Sequence, residues 1–140
     1  MRVFLCVFKD FSVAIPMAFI SSLYLHTEET VYNEAVIYNP QTQDFFVSLF
    51  CLFNLPSETT RHGIVLKNEI NDINVTLLST QVDSEIEIPD NKIYPMPKAF
   101  KNMSFSCFFD GIQFSEDTKS KPLLFLNPEQ LIHYIIRKKL

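Results

Sequence analysis

A chain of 140 residues is the size of one domain, long enough to bury one continuous core or two small ones. Its formal net charge is -4, and its one cationic cluster is Arg137–Lys139, so nucleic acid is not expected as the main partner. Hydrophobic residues make up 47% of the chain, which has only 2 Gly, so its tight turns must use Asn, Asp, Ser and Pro.

The first 25 residues are apolar and allow two interpretations. Arg2–Phe8 and Phe11–Ile15 predict a β-hairpin around Lys9-Asp10, followed by a short helical turn over Met17–Leu23. The alternative is a secreted β-domain that loses Met1–Ser22 as a signal peptide. Because the Lys-Asp pair interrupts the apolar run and no clean small-residue cleavage site follows, we expect a cytoplasmic protein.

The sequence pattern in the middle of the chain predicts short strands separated by turn residues. Glu34–Tyr38 and Phe45–Phe53 are predicted strands around the turn Asn39–Thr42, and the second is apolar enough to be buried on both faces. Gly63–Lys67 predicts another strand. Two further segments predict either a strand pair or one long bent strand; they are Val75–Ser79 and Val82–Ile88.

The last third predicts two more strand regions and one helix. Asp110-Gly111 is a strong hairpin signal between the predicted strands Phe105–Phe109 and Ile112–Phe114. After the strand Leu123–Leu126, a helix over about residues 128–139 is predicted, because Asn127 suits the N-cap position ahead of Pro128. Many short strands with one terminal helix are typical of an all-β barrel or sandwich.

Residues that carry chemistry are few and scattered. Cys6, Cys51 and Cys107 all lie in apolar runs, without the spacing of a zinc site, which predicts buried thiols in a reducing compartment and no metal. With two glycines in the chain, a phosphate-binding loop is not expected, so we predict no cofactor. The alternative is a small thiol enzyme or hydrolase that uses Cys51 or Cys107 with His62.

Acidic residues alternate with apolar ones along one predicted strand. Asp83, Glu85 and Glu87 recur at a spacing of two, which places them on one side of a strand. A solvent-facing side is favoured over a paired-carboxylate acid/base site, and the same side would suit a basic partner surface.

The order of several segments resembles that of the CheW family of chemotaxis coupling proteins. The opening LCVFKDFSVAIPMAFISSLY is similar to the first hairpin of that family. LLSTQVDSEIEIPDNKIYPMPKAF, residues 77–100, is similar to its long strand and the segment after it. FFDGIQFS and KPLLFLNPEQLI resemble its closing hairpin, last strand and helix start. The resemblance runs from residue 3 to residue 133.

The resemblance implies a single CheW-like domain over residues 1–140. Its fold would be all-β: two small five-stranded SH3-like β-barrel subdomains packed on a shared core, with a C-terminal α-helix. The implied function is a non-catalytic adaptor that docks a CheA-type histidine kinase. A second partner, the cytoplasmic tip of a chemoreceptor or a related helical protein, would lie in an apolar groove between the subdomains. No direct membrane insertion is implied.

Two departures from the family pattern indicate a diverged member. The NLRG signature is matched by Asn39–Thr42, which keeps the Asn and lacks the Arg and Gly, and the VDxV signature by Ser79–Val82, where Thr80 replaces the acidic residue. A missing arginine removes a five-donor fork from a docking face. The residues expected near the partner groove are Asn39, Gln41, Gln43, Phe45 and Phe46.

Overall fold

The computed structural model describes residues 1–30, 34–56, 59–67, 73–79, 82–96, 106–113 and 121–139. In these ranges the strands are β1 Arg2–Val7, β2 Ser12–Pro16, β3 Ile20–Thr30, β4 Val36–Asn39, β5 Asp44–Ser48, β6 Thr60–Leu66, β7 Asn74–Ser79, β8 Val82–Glu87, β9 Tyr94–Pro95, β10 Phe109–Gln113 and β11 Leu123–Leu126. The helices are α1 Leu49–Leu52 and α2 Pro128–Lys139, with 3-10 turns at Met17–Phe19, Asp90–Lys92 and Ser106–Phe108.

The chain divides into two compact units, each with its own sheet. The first unit consists of Met1–Ala18 and Val82–Tyr134, and the second of Phe19–Gln81 and Ile135–Leu140. The two β subdomains expected from the resemblance therefore correspond to the two sheets, one in each unit.

The first unit holds a six-stranded sheet in the order β8-β1-β2-β11-β10-β9. β1 and β2 form the predicted hairpin, in which the Phe8 amide donates to the Phe11 carbonyl at 3.0 Å. β2 and β11 run parallel, and the other pairs are antiparallel. A buried apolar cluster is formed by Val3, Ala14, Ile88 and Phe125. The sixth strand, β9, has only two residues, which accounts for the difference from the five strands expected.

The second unit holds a five-stranded sheet in the order β3-β6-β7-β5-β4. β5 and β7 run parallel at its centre, and the other pairs are antiparallel. Fully buried apolar side chains come from β5, β7 and the neighbouring β6. They include Phe45, Val47, Ile64, Val75 and Leu77.

The long apolar segment Phe45–Phe53 is not one strand, contrary to the sequence prediction. β5 ends at Ser48, whose Oγ accepts a hydrogen bond from the Cys51 amide at 3.4 Å and caps the single turn of α1. A continuously apolar run has no periodicity to separate a buried strand from a buried helical turn, so the boundary was not visible in the hydrophobic pattern.

Two further predictions were wrong about how strands are connected. Val75–Ser79 and Val82–Ile88 correspond to β7 and β8, which do not pair: β7 lies between β6 and β5, whereas β8 pairs with β1 in the other sheet. The helical turn predicted over Met17–Leu23 covers only Met17–Phe19, and β3 begins at Ile20.

Asp110-Gly111 lies inside β10 and makes no hairpin turn. Gly111 pairs with Phe125 on one side and with Pro95 on the other, beside a register shift that follows Phe109. A Cβ at Gly111 would lie 2.7 Å from the Tyr94 carbonyl oxygen, so glycine is required here by the close approach of β9. Phe105 and Phe114, the outer ends of the predicted hairpin, lie outside the described residues.

The C-terminal helix has the predicted bounds, Pro128–Lys139. Asn127 caps it, because its Oδ1 accepts from the Gln130 amide at 3.1 Å while its Nδ2 donates to Asp110 at 3.1 Å. In the apolar stripe of this helix, Leu131, Ile132 and Ile135 are buried. Among the described residues, no helix combines the length and the apolar character needed to cross a membrane.

Candidate protein-interaction surface

The predicted partner-binding residues lie on the β4–β5 hairpin of the second unit. Asn39 and Asp44 are cross-strand partners that close it, and residues 40–43 form the turn between them. Inside the turn, Asn39 Oδ1 accepts from the Gln41 amide at 3.1 Å. Asn side chains commonly stabilise turns by bonding the backbone two residues ahead. Gln43 has a φ of 57°, the left-handed conformation that turns the chain into β5.

The turn is anchored to the centre of the sheet by β7. The Asn74 amide donates to the Gln43 carbonyl at 3.2 Å. The Asn74 side chain also donates from Nδ2 to Asp44 Oδ1 at 2.9 Å, at the start of the parallel pair β5–β7. Two hydrogen bonds from one residue of the neighbouring strand thus fix where the turn ends.

The structure separates the five predicted residues into two groups. Asn39, Gln41 and Gln43 are exposed together on the turn. Phe45 is fully buried and stacks on Tyr38 with ring centroids 4.4 Å apart, so any effect of it on binding would be indirect. Phe46 is half-buried and pairs with Ile37 across the hairpin.

The exposed part of this surface is uncharged. Between Glu34 and Asp44 the sequence contains no Asp, Glu, Lys or Arg. Three side-chain amides, each able to donate and to accept, are its main polar groups. A partner of this surface would be recognised by hydrogen-bond geometry and apolar contact, because no fixed charge is available on the turn.

Sequence reasoning missed a second exposed surface, on β3. Leu23, Tyr24 and Leu25 are all exposed on a strand, although the predicted helical turn Met17–Leu23 included the first of them. Three consecutive apolar residues in a strand cannot all face one core, because successive side chains point to opposite faces. The run of three apolar residues was the available signal for this surface. The prediction did not use it, because it assigned Leu23 to a helical turn.

No family model matches the chain, and no curated protein matches it either. Among solved structures, the crystal structure of scaffolding protein TtCheW from Thermoanaerobacter tengcongensis matches with a TM-score of 0.63 and 14% sequence identity. The match covers 89% of this chain and 87% of that chain. The chain has the CheW fold. The predicted fold class, mostly β in two SH3-like subdomains with a C-terminal helix, is confirmed by this match.

Within this CheW-like fold, the departure at Asn39–Thr42 has a definite location. The residues that match the family's NLRG signature form the exposed β4–β5 turn, where Asn39 bonds the backbone of Gln41. Asn39 therefore has a structural role in the turn. The second departure, at Thr80, lies outside the described residues.

The cysteines of this chain differ in exposure and form no disulfide. Cys6 is buried and Cys51 is half-buried, but Cys107 is exposed on the 3-10 turn Ser106–Phe108, so the prediction that all three are buried was wrong. His62 is half-buried on β6. Within the described ranges, no group of three or more His, Cys, Asp or Glu residues is arranged to hold a metal ion. The thiol-enzyme alternative stays a prediction.

The acidic residues of β8 are held by ion pairs on the surface of the first unit. Arg2 Nη1 lies 3.1 Å from Glu85 Oε1, and Arg2 Nε lies 3.5 Å from Glu87 Oε2. Both carboxylates are exposed, as predicted for a solvent-facing side. The side chain of Asp83 lies outside the described residues.

Proposed function

We propose that the chain is a non-catalytic adaptor of chemotaxis-type signal transduction. It docks the regulatory domain of a CheA-type histidine kinase and the cytoplasmic tip of a chemoreceptor, or a related helical partner. The observation that carries this proposal is the fold match to a scaffolding protein over 89% of the chain. Such a role belongs in the cytoplasm, where the kinase and the receptor tip are found.

The β4–β5 turn supports the proposal as one docking element. It presents Asn39, Gln41 and Gln43 on a turn whose end is fixed by two bonds from Asn74, one to the Gln43 carbonyl and one to the Asp44 side chain. A preorganised turn loses little conformational entropy on binding. Because the turn lacks the arginine of the family signature, recognition there uses neutral amides, and its strength should change little with salt.

An adaptor needs no catalytic nucleophile, so this proposal gives the three thiols no catalytic role. Cys107 is the exposed thiol, so Cys107→Ser is the informative substitution. Kinase binding should be unchanged in this variant. A hydrolase or thiol-transfer activity that the substitution abolishes would favour the thiol-enzyme alternative.

The test is a calorimetric titration of the purified chain with the isolated regulatory domain of a CheA-type kinase from the same cell. We expect saturable binding near micromolar Kd, about -8 kcal/mol. Gln41→Ala should weaken binding severalfold without lowering the thermal unfolding midpoint, because the side chain is exposed. Asn91→Ala, an exposed amide on the Asp90–Lys92 turn, is the matched control and should bind normally. Failure to bind any such kinase domain would contradict the adaptor role.

A further inference from the structure

The first unit contains a cavity of about 320 Å³ that is partly open to solvent. Its lining comes from β1, β2, β8, β10, β11 and the residues next to them, so the whole cavity belongs to this one unit. Ligand-binding cavities usually measure about 300–1,000 Å³ and combine an apolar surface with a few well-placed polar groups. This cavity is at the lower end of that range, which suits a small ligand.

The floor of the cavity is apolar. It is formed by Leu5, Ile86 and Leu123, which are all only half-buried. These three side chains pack against the buried apolar cluster of the first sheet, to which Ile88 of the lining also belongs. An apolar group placed in the cavity would complete their burial, and the removal of apolar surface from water is favourable.

Three polar residues of the lining lie together at one end of the cavity. Ser12, at the start of β2, is paired with Leu123, which is paired on its other side with Gln113 at the end of β10. Paired residues of neighbouring strands lie on the same face of a sheet. Lys121 precedes this row, and its Nζ donates to the Phe8 carbonyl at 2.7 Å. This hydrogen bond holds the ammonium at the β1–β2 turn, just ahead of Ser12.

These polar groups have hydrogen-bonding capacity that the described residues do not use. An ammonium has three donors, and Lys121 gives one of them to Phe8. Within the described ranges, no carboxylate lies at ion-pair distance from Lys121. The Ser12 hydroxyl and the Gln113 side-chain amide likewise make no hydrogen bond to another residue that the structure describes. A ligand with acceptor atoms would satisfy all three groups.

The charges along the cavity favour an anion at the Lys121 end. Glu87 is the other charged residue of the lining, and it is already paired, because Arg2 Nε lies 3.5 Å from its Oε2. The charge that lacks a partner is therefore the positive charge of Lys121. Since β1 and β2 lie between β8 and β11 in the sheet, Glu87 and Lys121 belong to opposite sides of the cavity. An anion is thus attracted to one side and repelled from the other.

We propose that this cavity binds a small monocarboxylate with an unbranched apolar tail, the chemistry of a medium-chain fatty acid. The carboxylate accepts hydrogen bonds from Lys121 Nζ, the Ser12 hydroxyl and the Gln113 amide. The tail lies along the apolar floor toward Pro89, at the β8 side of the lining. The cavity and the β4–β5 turn belong to different units, so this proposal does not depend on the adaptor role.

The first test is a calorimetric titration of the full chain at neutral pH with octanoate, octanol and butyrate. Octanoate should bind saturably at one site. Octanol has the same tail without the charge and should bind about tenfold more weakly, because the charge-assisted hydrogen bond is lost. Butyrate keeps the carboxylate and should also bind more weakly, by more than about tenfold, because it buries fewer methylene groups. Octanol that binds as tightly as octanoate, or octanoate that does not bind, would overturn the proposal.

Substitution of the lysine tests the position of the carboxylate. Lys121→Met keeps the aliphatic stem and removes the charge, so octanoate should bind about tenfold more weakly, whereas octanol binding should be unchanged. The unchanged octanol binding also reports that the cavity is intact. Lys67→Met, at an exposed lysine of the second unit, makes the same change in net charge and should bind octanoate like the wild type. Normal octanoate binding by Lys121→Met would contradict the assignment.

Methyl NMR spectra of the full chain locate the tail. During a titration with octanoate, the largest shifts should be those of the methyl groups of Leu5, Ile86 and Leu123, which form the floor. Leu25 is the internal control. It is 68% exposed on β3, so non-specific adsorption of an aliphatic chain would reach it readily, and its signals should not move. Shifts at Leu25 without shifts at the three floor residues would overturn the proposal.

Discussion

Asn74 donates a hydrogen bond from its side-chain Nδ2 to Oδ1 of Asp44 at 2.9 Å, and the same two residues are paired where β5 and β7 begin. The Asn74 backbone amide also bonds the carbonyl of Gln43. Since β7 is the central strand of its sheet, these contacts connect the exposed β4–β5 turn to the exposed first residue of the central strand. The end of this turn is thus bonded to a residue that lies 30 positions away from Asp44 in sequence.

Asn74→Ala should lower the free energy of unfolding by about 0.5–1.5 kcal/mol, the usual net contribution of one hydrogen bond. It should also weaken partner binding, because Asp44 at the end of the turn loses its side-chain anchor. Urea unfolding measures the first effect and calorimetry the second. Asn91→Ala is the control, and equal behaviour of the two variants would show that the Asn74 contact has no role.

Substitutions of Gln43 test the left-handed backbone conformation at the end of the β4–β5 turn. Its φ of 57° is costly for a residue with a Cβ, so Gln43→Gly should raise the free energy of unfolding by up to about 1 kcal/mol. Gln43→Val should lower it, because a β-branched residue is strained at positive φ. Thermal unfolding ranks the three proteins, and a glycine variant less stable than the wild type would contradict this. If the stabilised glycine variant binds the partner more weakly, the loss measures what the side-chain amide of Gln43 contributes to binding.

Phe45 and Phe46 should respond differently to truncation. Phe45 is fully buried against Tyr38, so Phe45→Ala should lower the free energy of unfolding by about 3–5 kcal/mol. Phe46 is half-buried, and its truncation should cost less, about 1–2 kcal/mol. Denaturant unfolding measures both. Any binding defect of Phe45→Ala should follow its unfolded fraction, and a binding defect in a fully folded Phe45→Ala protein would assign this residue a direct role.

The two glycines should differ in their tolerance of a methyl group. At Gly111 the added Cβ would meet the backbone oxygen of Tyr94 at 2.7 Å, so Gly111→Ala should separate β9 from β10 and lower the free energy of unfolding by about 1–3 kcal/mol. At Gly63 the atoms met belong to the Tyr24 ring, which can swing outward, so Gly63→Ala should be milder. Thermal unfolding of both variants checks this order, and a larger loss for Gly63→Ala would reverse it.

Elements with strong local signals could be predicted from the sequence. The helix Pro128–Lys139 follows from its cap, because Asn127 ahead of a proline and a periodic apolar stripe leaves few alternatives. The strand Leu123–Leu126 was bounded on both sides by turn-forming residues, and its bounds are as predicted. The first hairpin followed from two apolar segments around Lys9-Asp10.

The incorrect predictions share a physical cause, because local sequence signals do not specify which segments pair in the folded chain. Val75–Ser79 and Val82–Glu87 are adjacent in sequence but belong to different sheets, and no local pattern records this separation. Asp110-Gly111 favours a turn locally, but the approach of β9 makes Gly111 part of a strand. The turn over Asn39–Thr42 was predicted from its Asn and Pro residues, whereas the burial of Phe45 depends on its packing against Tyr38, which no local pattern records. The binding role of these residues stays a prediction.

The adaptor account is tested most directly by assembly of a ternary complex from the kinase regulatory domain, the receptor signalling fragment and this chain, followed by co-elution. An adaptor with separate sites for two partners should first increase and then decrease the amount of ternary complex as its concentration rises. The decrease follows because excess adaptor occupies each partner separately. We predict this bell-shaped dependence, with its maximum reduced by Gln41→Ala and unchanged by Asn91→Ala. Absence of any ternary complex across the range of adaptor concentration would contradict the account.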